Sequence, residues 1–516
     1  LHLARDRFGE KPIYYGVLGN TLLFGSELKA LRVHPAGRMS IDRSSISLFM
    51  RYSYVPAPYS IYQNIFKLQP ASFVSIPVRE NQVTTVGPDS ARQYWSAQEV
   101  AQAGLANQFE GTVEDAIDEL DAVMRKAVAT RMIADVPLGA FLSGGIDSSM
   151  IVAMMQAGSE QRVRTFSIGN QLDDYDEAPF AKRVAEQLGT EHVEMYVSPD
   201  DSLNTIPKLP SIYDEPFADS SQIPTTLLSD LTRSHVTVSL SGDGGDELFA
   251  GYNRHFLGRN IWNKTRRIPN GARRLAGKIV SSVPPALVDR IFSATSFALP
   301  RKLRGQESPG RALEKIASIL SADTSAAMYQ GLTSTWRRPS ELVLRAPETQ
   351  SSIMNSRSWP DLHDITNQMM YLDVMTYLPD DILVKVDRAS MSASLETRVP
   401  FLDPEVLEFA WRLPLKWKVR NDEGKWILRQ LLYRYVPRDL VERPKKGFGV
   451  PMGEWLRGPL RDWAEDLLET ERLKEQGFLD PTVVSDCWQS HLNGSRFSPA
   501  KLWNILMFQA WLEEYR

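Results

Sequence analysis

The sequence predicts an α/β protein built on a doubly wound parallel sheet. Patterns typical of strands and of helices alternate along the chain, at 163–168, 178–189, 192–196, 222–234 and 236–240. A further apolar run, at 136–142, ends in a Ser-Gly-Gly turn before the next helical pattern. Such alternation favours a parallel sheet, whose ligands bind beyond the carboxyl ends of its strands.

The turn at 143–148 carries the clearest chemical signal. It reads Ser143-Gly144-Gly145-Ile146-Asp147-Ser148. The two glycines lack Cβ atoms, so an anion can approach the backbone N–H groups. The two serine hydroxyls and the N-terminus of the next helix can then surround phosphate oxygens. An isolated Gly-Gly pair would more simply be a surface turn with a helix cap, but the flanking strand and helix favour a nucleotide site.

Asp147 indicates that a cation belongs to this site. Its carboxylate would repel phosphate unless it held a hard cation that bridges to the nucleotide, which points to Mg²⁺. The motif is similar to the Ser-Gly-Gly-x-Asp-Ser signature of the PP-loop ATP pyrophosphatases, and it lacks the Walker A pattern. That resemblance implies ATP as cosubstrate, cleavage to AMP and pyrophosphate, and adenylation of a substrate oxygen.

Composition limits the remaining possibilities. The chain has 516 residues, 43% of them hydrophobic, which predicts two or more domains. A net charge of −4 provides no field for nucleic acid. The one cysteine, Cys487, excludes a disulfide framework within the chain and is expected to be a packed small hydrophobe. Neither a spanning apolar run nor a leader is seen, so we expect a cytoplasmic protein without a membrane partner.

The N-terminal segments 5–15 and 22–31 predict short strands around a glycine turn. They resemble the end of the N-terminal nucleophile glutaminase domain in glutamine-hydrolysing asparagine synthetases. The resemblance implies that 1–95 is the C-terminal part of that domain, with its catalytic cysteine upstream of Leu1. We therefore expect the 516 residues not to hydrolyse glutamine. The range 40–95 has a strand-like pattern, the polar stretch 96–112 suits a linker, and 113–516 follows as the synthetase domain.

A second polar turn follows the strand pattern at 236–240. It reads Ser241-Gly242-Asp243-Gly244-Gly245-Asp246-Glu247. Three carboxylates so close together repel one another unless a cation or a catalytic role offsets the repulsion. A solvated acidic turn is the alternative. The resemblance to asparagine synthetases implies that Ser241 and Gly242 contact AMP, that Asp243 supports formation of β-aspartyl-AMP, and that Asp246 binds Mg²⁺ together with Asp147.

The same resemblance implies further contacts. Main-chain groups of Phe141 and Ile168 would hold adenine and ribose, although both side chains also suit the core. The stretch 213–225 is predicted to line the acceptor pocket, or else to be a capped helix start. From 255 onward the pattern is mainly helical, and the charge-rich stretch 380–403 suggests buried ion pairs with a framework role.

A basic loop, 442–449, carries two lysines beside glycines and would by default be exposed. The resemblance implies that Lys445 stabilises the departing pyrophosphate, with Lys446 as the register alternative.

The sequence therefore predicts a PP-loop ATP pyrophosphatase fold of the adenine nucleotide alpha hydrolase type, with a helical C-terminal part and a preceding glutaminase remnant. It is identified as a member of the asparagine synthetase family. The implied reaction is amidation of aspartate, with nitrogen from ammonia or glutamine. Related amidotransferases of a sugar acid or a β-lactam precursor, and a non-catalytic fragment, are alternatives. A tRNA-thiolating enzyme would require catalytic cysteines and a basic surface. The sequence leaves a homodimer open.

Overall fold

The structure, a computed structural model, describes residues 1–35, 39–79, 82–83, 86–170, 176–282, 316–317, 319–347, 359–442, 450–493 and 499–515. They belong to two compact units. Unit 1 is made of Leu1–Asp42, Val55–Tyr252 and Pro360–Val450, and unit 2 of Arg43–Tyr54, Asn253–Trp359 and Pro451–Arg516. No described helix is both long and apolar enough to cross a bilayer.

The described strands are β1 His2–Ala4, β2 Tyr14–Leu18, β3 Thr21–Gly25, β4 Ile65–Lys67, β5 Ser72–Ser75, β6 Val78–Arg79, β7 Gln82–Val83, β8 Ala91–Gln93, β9 Leu138–Phe141, β10 Arg164–Asn170, β11 Glu191–Val197, β12 Val238–Leu240 and β13 Glu396–Arg398. The described α-helices are α1 Leu28–Arg32, α2 Arg43–Tyr52, α3 Ala97–Ala106, α4 Val113–Arg131, α5 Ile146–Ala157, α6 Ala178–Leu188, α7 Pro199–Thr205, α8 Leu209–Tyr213, α9 Gln222–Arg233, α10 Gly245–Leu248, α11 Asn253–Thr265, α12 Asn270–Ser282, α13 Ser325–Thr333, α14 Ile365–Leu372, α15 Leu383–Ser392, α16 Pro404–Arg412, α17 Leu415–Lys418, α18 Trp426–Leu432, α19 Arg438–Val441, α20 Met452–Trp455, α21 Arg461–Leu467, α22 Thr470–Gln476, α23 Pro481–Leu492 and α24 Pro499–Tyr515. A π-helical stretch, Asp373–Ile382, joins α14 to α15.

The predicted parallel sheet is present in unit 1. Its strand order is β11-β10-β9-β12-β13, and every neighbouring pair is parallel. The chain moves outward from β9 through β10 to β11, and it then returns to the other side of β9 with β12. Because the direction reverses between β9 and β12, a crevice is expected where the loops after these two strands diverge. Both predicted polar turns follow these strands.

Side chains at the sheet explain why the apolar runs form strands. Phe166 and Ile168 of β10 are buried together with residues of β11, α9 and the segment before β13. Phe141 packs against the same cluster from β9. The side chains of Phe141 and Ile168 therefore belong to the core, as the sequence allowed.

Helix α4 begins at a capping box. The Thr112 hydroxyl accepts a hydrogen bond from the Asp115 backbone N–H at 3.2 Å, and the Asp115 carboxylate accepts one from the Thr112 N–H at 2.8 Å. This capping box satisfies donors that the first helical turn would leave unpaired. The buried face of α4 is apolar, at Ala116, Ile117, Leu120, Met124, Ala127 and Val128.

The N-terminal part of unit 1 contains small antiparallel sheets, ordered β1-β5-β8, β3-β2-β4 and β6-β7. Its core includes the fully buried ring of Tyr15 together with Leu68 and Val74. The strand-like prediction for 40–95 was wrong at α2, which is helical and belongs to unit 2. Its apolar residues, among them Ile46 and Phe49, are spaced for one buried helix face.

Two differences from the predictions have local causes. Helix α3 occupies much of the predicted linker 96–112, and its Gly104 lies so close to Trp411 of α16 that a Cβ would be 2.7 Å from the Trp411 backbone. Helix α3 is therefore a packed element and not a free connection. Strand β13 lies in the range predicted to be mainly helical. Its Glu-Thr-Arg sequence contains no apolar run that would indicate a strand. The two compact units do not coincide with the predicted domain ranges, which stay a prediction.

Unit 2 is helical among the residues that the structure describes, apart from isolated bridges and turns. Helix α24 lies in the range predicted to be mainly helical, and its Trp503, Phe508 and Trp511 bury almost their whole side chains. Cys487 of α23 is buried and unbonded to another cysteine, as expected for a packed hydrophobe. Burial raises the pKa of its thiol to about 12.

Candidate active site

The turn after β9 forms a compact hydroxyl cluster. The Oγ atoms of Ser143 and Ser148 are 3.0 Å apart, and the Ser143 N–H donates to the Ser148 hydroxyl at 3.2 Å. The Gly145 N–H donates to the Ser143 hydroxyl at 3.3 Å. Both hydroxyls therefore lie at the start of α5, where a helix N-terminus attracts an anion.

Packing gives a second reason for glycine at position 144, besides the approach of an anion to the backbone. Its φ of +71° lies in the left-handed region, and a Cβ would be 2.8 Å from backbone atoms of both Phe180 and Ala181 in α6. A side chain is thus excluded by the packing of the turn against this helix. At Gly145 a Cβ would instead lie 3.2 Å from the Ser143 hydroxyl. The absence of a side chain at Gly145 is therefore explained by the predicted phosphate site.

The turn after β12 lies directly against the first turn. Strands β9 and β12 pair in register, with Gly139 opposite Ser239 and Ala140 opposite Leu240. At Gly242 a Cβ would be 2.7 Å from the Ser148 backbone nitrogen. The structure thus brings Ser143, Gly144, Gly145, Asp147, Ser148, Ser241, Gly242, Asp243 and Asp246 to one edge of the sheet.

Lys425 joins the two predicted metal-binding carboxylates. Its ammonium forms an ion pair with Asp147 and a second with Asp246 Oδ1 at 2.6 Å. The side chain is buried, and the residue has a φ of +57°, with its N–H donating to the Phe249 carbonyl at 2.8 Å. Burial would lower the pKa of Lys425, but the two carboxylates outweigh it and raise that pKa.

Sequence reasoning missed Lys425. It lies just before α18 and far along the chain from both acids. The sequence instead indicates the loop 442–449 as the basic element of the site. The signal that could have indicated it is weak: a Gly-Lys pair immediately ahead of an apolar helix.

The carboxylates of Asp147 and Asp246 suit a divalent cation. They converge on one point, since both contact the same ammonium, and they offer the hard oxygen ligands that Mg²⁺ prefers. Within the described residues no group of three or more His, Cys, Asp or Glu side chains could hold a metal by itself. Two protein carboxylates with nucleotide phosphates completing the coordination are a usual arrangement for Mg²⁺.

Asp243 is half-buried beside these groups. The Ser241 hydroxyl donates a hydrogen bond to its carboxylate. Burial raises the pKa of Asp243, while the Ser241 hydrogen bond and the Lys385 ammonium act in the opposite direction. The structure thus places Ser241 as a direct partner of Asp243.

Glu247 is a buried acid to which the sequence analysis gave no role. The Tyr252 hydroxyl donates to Glu247 Oε1 at 2.5 Å. Burial and the neighbouring Asp246 raise the pKa of Glu247 to about 8, so this carboxyl is mostly neutral at pH 7. A neutral Glu247 reduces the repulsion among the three acids of the turn.

The stretch 213–225 contains a hydrogen-bonded turn just before α9, whose N-cap residue Ser221 makes no side-chain capping bond, and its place in the acceptor pocket stays a prediction. Asp219 accepts hydrogen bonds from the Ser221 N–H at 2.9 Å and the Ser221 hydroxyl at 2.8 Å, just before α9 begins. It also accepts from Lys385 Nζ at 2.9 Å. Burial would raise the pKa of Asp219, but Lys385 and Ser221 outweigh it and lower that pKa. The turn thus connects to Lys385, whose charge acts on Asp243.

The buried ion pairs predicted for 380–403 are confirmed. Lys385 pairs with Asp219 at 2.9 Å, and the buried Arg388 pairs with Glu27 at 3.2 Å. Asp387 pairs with Lys11, whose side chain is exposed. Lys445 and Lys446 lie outside the described residues, as does the whole of 443–449.

Comparisons with known proteins identify the family. Residues 119–513 match the asparagine synthase family, and residues 1–95 match a glutamine amidotransferase domain. The chain is 29% identical over 515 residues to asparagine synthetase [glutamine-hydrolyzing] 1 of Bacillus subtilis (strain 168), covering 99% of this chain and 75% of that protein. It is 32% identical to a putative asparagine synthetase [glutamine-hydrolyzing] of Mycobacterium tuberculosis (strain ATCC 25618 / H37Rv), covering 99% and 74%. A more distant similarity, 23%, is to amidase chyE of Penicillium rubens, over 92% of this chain and 71% of that protein. The family's α/β fold agrees with the parallel sheet described above, and the chain belongs to the asparagine synthase family.

Proposed function

We propose that the chain is an ATP-dependent ligase that converts aspartate to asparagine through β-aspartyl-AMP, using ammonia that is free or derived from glutamine. One observation carries the proposal. Asp147 and Asp246 come from turns after neighbouring parallel strands, and both contact the ammonium of Lys425. Anion-binding hydroxyls, two carboxylates and a buried cation at one sheet edge suit a nucleoside triphosphate with a divalent cation.

Each group has a role in this proposal. The Ser143 and Ser148 hydroxyls and the N-terminus of α5 bind phosphate oxygens. Lys425 neutralises charge on the phosphates and on the departing pyrophosphate, and Lys445 adds a second ammonium there. Asp147 and Asp246 would hold Mg²⁺, which would shield the phosphate charge when bound. Main-chain groups of Phe141 and Ile168 bind the adenosine, and Ser241 and Gly242 contact AMP.

Adenylation solves a chemical problem, because a carboxylate resists attack by ammonia. A β-carboxylate oxygen of aspartate attacks the α-phosphorus, an O–P bond forms, and the bond to pyrophosphate breaks. Ammonia then attacks the acyl carbon, loses a proton, and AMP leaves with the former carboxylate oxygen. Asp243 stands beside the position of AMP and supports formation of the adenylate.

The domain assignment is part of the same proposal. Residues 1–95 belong to the glutaminase domain, 96–112 connect it to the synthetase, and 113–516 form the synthetase domain. The matched ranges 1–95 and 119–513 support this division.

The test is pyrophosphate release from ATP with ammonium chloride and one acid at a time: aspartate, glutamate, a uronic acid and a β-lactam precursor acid. We expect release and asparagine formation with aspartate. Pyrophosphate release with only one of the other acids would identify that acid, and not aspartate, as the acceptor. No release with any acid, from a folded protein that binds ATP, would contradict the ligase assignment.

A further inference from the structure

Lys385 links the site to a buried network of charged side chains. Its Nζ lies 2.9 Å from both Asp219 Oδ2 and Ser221 Oγ. Burial would lower the pKa of Lys385, but Asp219, Asp381 and Asp243 raise it, so the ammonium stays charged. Lys385 thus fixes the turn before α9, and its charge acts on Asp243.

The other end of the same turn contacts the N-terminal segment 11–67. Two buried acids make the connection. The Asp214 carboxylate accepts a hydrogen bond from the Lys29 N–H at 2.8 Å. The Glu215 carboxylate accepts from the Ile61 N–H at 2.7 Å and pairs with Lys67 at 2.6 Å. Asp214, Glu215 and Lys67 are all at most 6% exposed, so water screens these contacts poorly.

Helix α15, which carries Lys385, contacts the loops of the same N-terminal segment. Arg388 donates to the Ser26 carbonyl at 2.6 Å and pairs with Glu27 at 3.2 Å. Asp387 pairs with Lys11. Both segments that meet at Lys385 and Asp219 are therefore anchored on residues before 68.

We propose that Lys385 is a positioning residue for the acceptor side of the synthetase site, and that the N-terminal segment 11–67 holds it in place through the Lys67–Glu215 pair and the α15 contacts. The inference rests on the proposed function. The N-terminal part then affects amide formation even from free ammonia, independently of any glutamine chemistry. Small displacements of positioning groups have large effects on rate, since reacting atoms must meet within a narrow geometry.

The first test replaces Lys385. We expect Lys385→Met to raise the KM for aspartate about tenfold in the ammonia-dependent reaction and to leave the KM for ATP within about twofold. Lys385→Arg, which keeps the charge, should restore most of the loss. Equal effects on both KM values, or no rescue by Arg, would overturn the positioning role.

The second test combines Lys67→Met with Glu215→Gln, so that neither partner of the remote pair is left as an unpaired charge. We expect the aspartate KM to rise about threefold or more. Lys126→Met is the matched control, because Lys126 pairs with Glu405 at 2.5 Å on the exposed surface. An aspartate KM like that of the control would overturn the connection to the N-terminal segment 11–67.

A third measurement does not depend on turnover. Hydrogen exchange of the full chain should be faster over 213–221 in the double variant and in Lys385→Met than in wild type, because the turn loses an anchor in each. Unchanged exchange would overturn the inference by itself. If wild type released no pyrophosphate while exchange changed as expected, the proposed function would fail and the positioning network would stand.

Discussion

The carboxylates of Asp147 and Asp246 contact the same ammonium, although they lie in different turns of the chain. Lys425 thereby compensates a repulsion that the two acids would otherwise impose on the site. The same convergence makes them suitable ligands for one divalent cation, so the arrangement connects stability with nucleotide binding.

Replacing either acid should impair adenylation more than folding. We expect Asp147→Asn and Asp246→Asn each to lower the rate of ATP–pyrophosphate exchange at least a hundredfold, about 2.7 kcal/mol, and to raise the Mg²⁺ concentration required. Circular dichroism should show folded protein, because each amide retains a polar contact with Lys425. Near-normal exchange in both variants would exclude these acids as metal ligands.

Lys425→Met should be destabilising, because it leaves two adjacent carboxylates without their common partner. The loss is expected to be about 3 kcal/mol or more. Mg²⁺ should then raise the melting temperature of this variant more than that of wild type, since the cation no longer competes with the ammonium. A Mg²⁺ response equal to that of wild type would contradict a shared cation position.

Gly144→Ala should distort the first turn. Its Cβ would be 2.8 Å from backbone atoms of α6, in addition to the strain of a left-handed φ. Gly189→Ala is the matched control, because its φ of +73° is similar and nothing lies within 4 Å of its added Cβ. We expect a larger fall in melting temperature for Gly144→Ala, and loss of pyrophosphate release in that variant only. Equal falls in melting temperature for the two variants would contradict the close packing of Gly144 against α6.

Lys418→Met should stabilise the protein in a pH-dependent way. Burial lowers the pKa of Lys418 to about 7, and the side chain is 1% exposed. Between about pH 7 and the ordinary pKa of 10.5, the unfolded chain binds a proton that the folded chain lacks, so wild-type stability rises with pH in this window.

The stabilisation by Lys418→Met should therefore be largest at or below pH 7, on the order of a few kcal/mol, and should disappear near pH 10.5. Urea unfolding at pH 6.5 and 9.5 measures it. Lys416→Met, in the same short helix but exposed, is the control and should change little. A gain independent of pH would mean that Lys418 is charged in the folded protein.

Lys445→Ala should lower kcat more than it weakens ATP binding, if its ammonium acts on the departing pyrophosphate. We expect at least a tenfold loss in kcat, about 1.4 kcal/mol. Lys446→Ala is the paired measurement. If Lys445→Ala left kcat unchanged and Lys446→Ala lowered it strongly, the pyrophosphate role would belong to Lys446.

The sequence alone determined the parallel sheet and the two polar turns, because these depend on local patterns. Apolar runs of strand length, helical periodicity and glycine-rich turns with hydroxyls or acids are written within short stretches of chain, as at 136–148 and 236–247. The order of these stretches then required both turns to lie at the carboxyl edge of one sheet. The burial of Cys487 followed in the same way from composition.

Only the tertiary structure decided which distant charges complete the site. Lys425 and Lys385 resemble many other lysines in the sequence, and their roles depend on acids that are far away along the chain. A buried ammonium requires carboxylate partners. Tertiary packing brings these partners together, and no local sequence pattern indicates which they are. Gly144 shows the same limit: its turn was evident from the sequence, but the contact with α6 that excludes a side chain exists only after the helices pack.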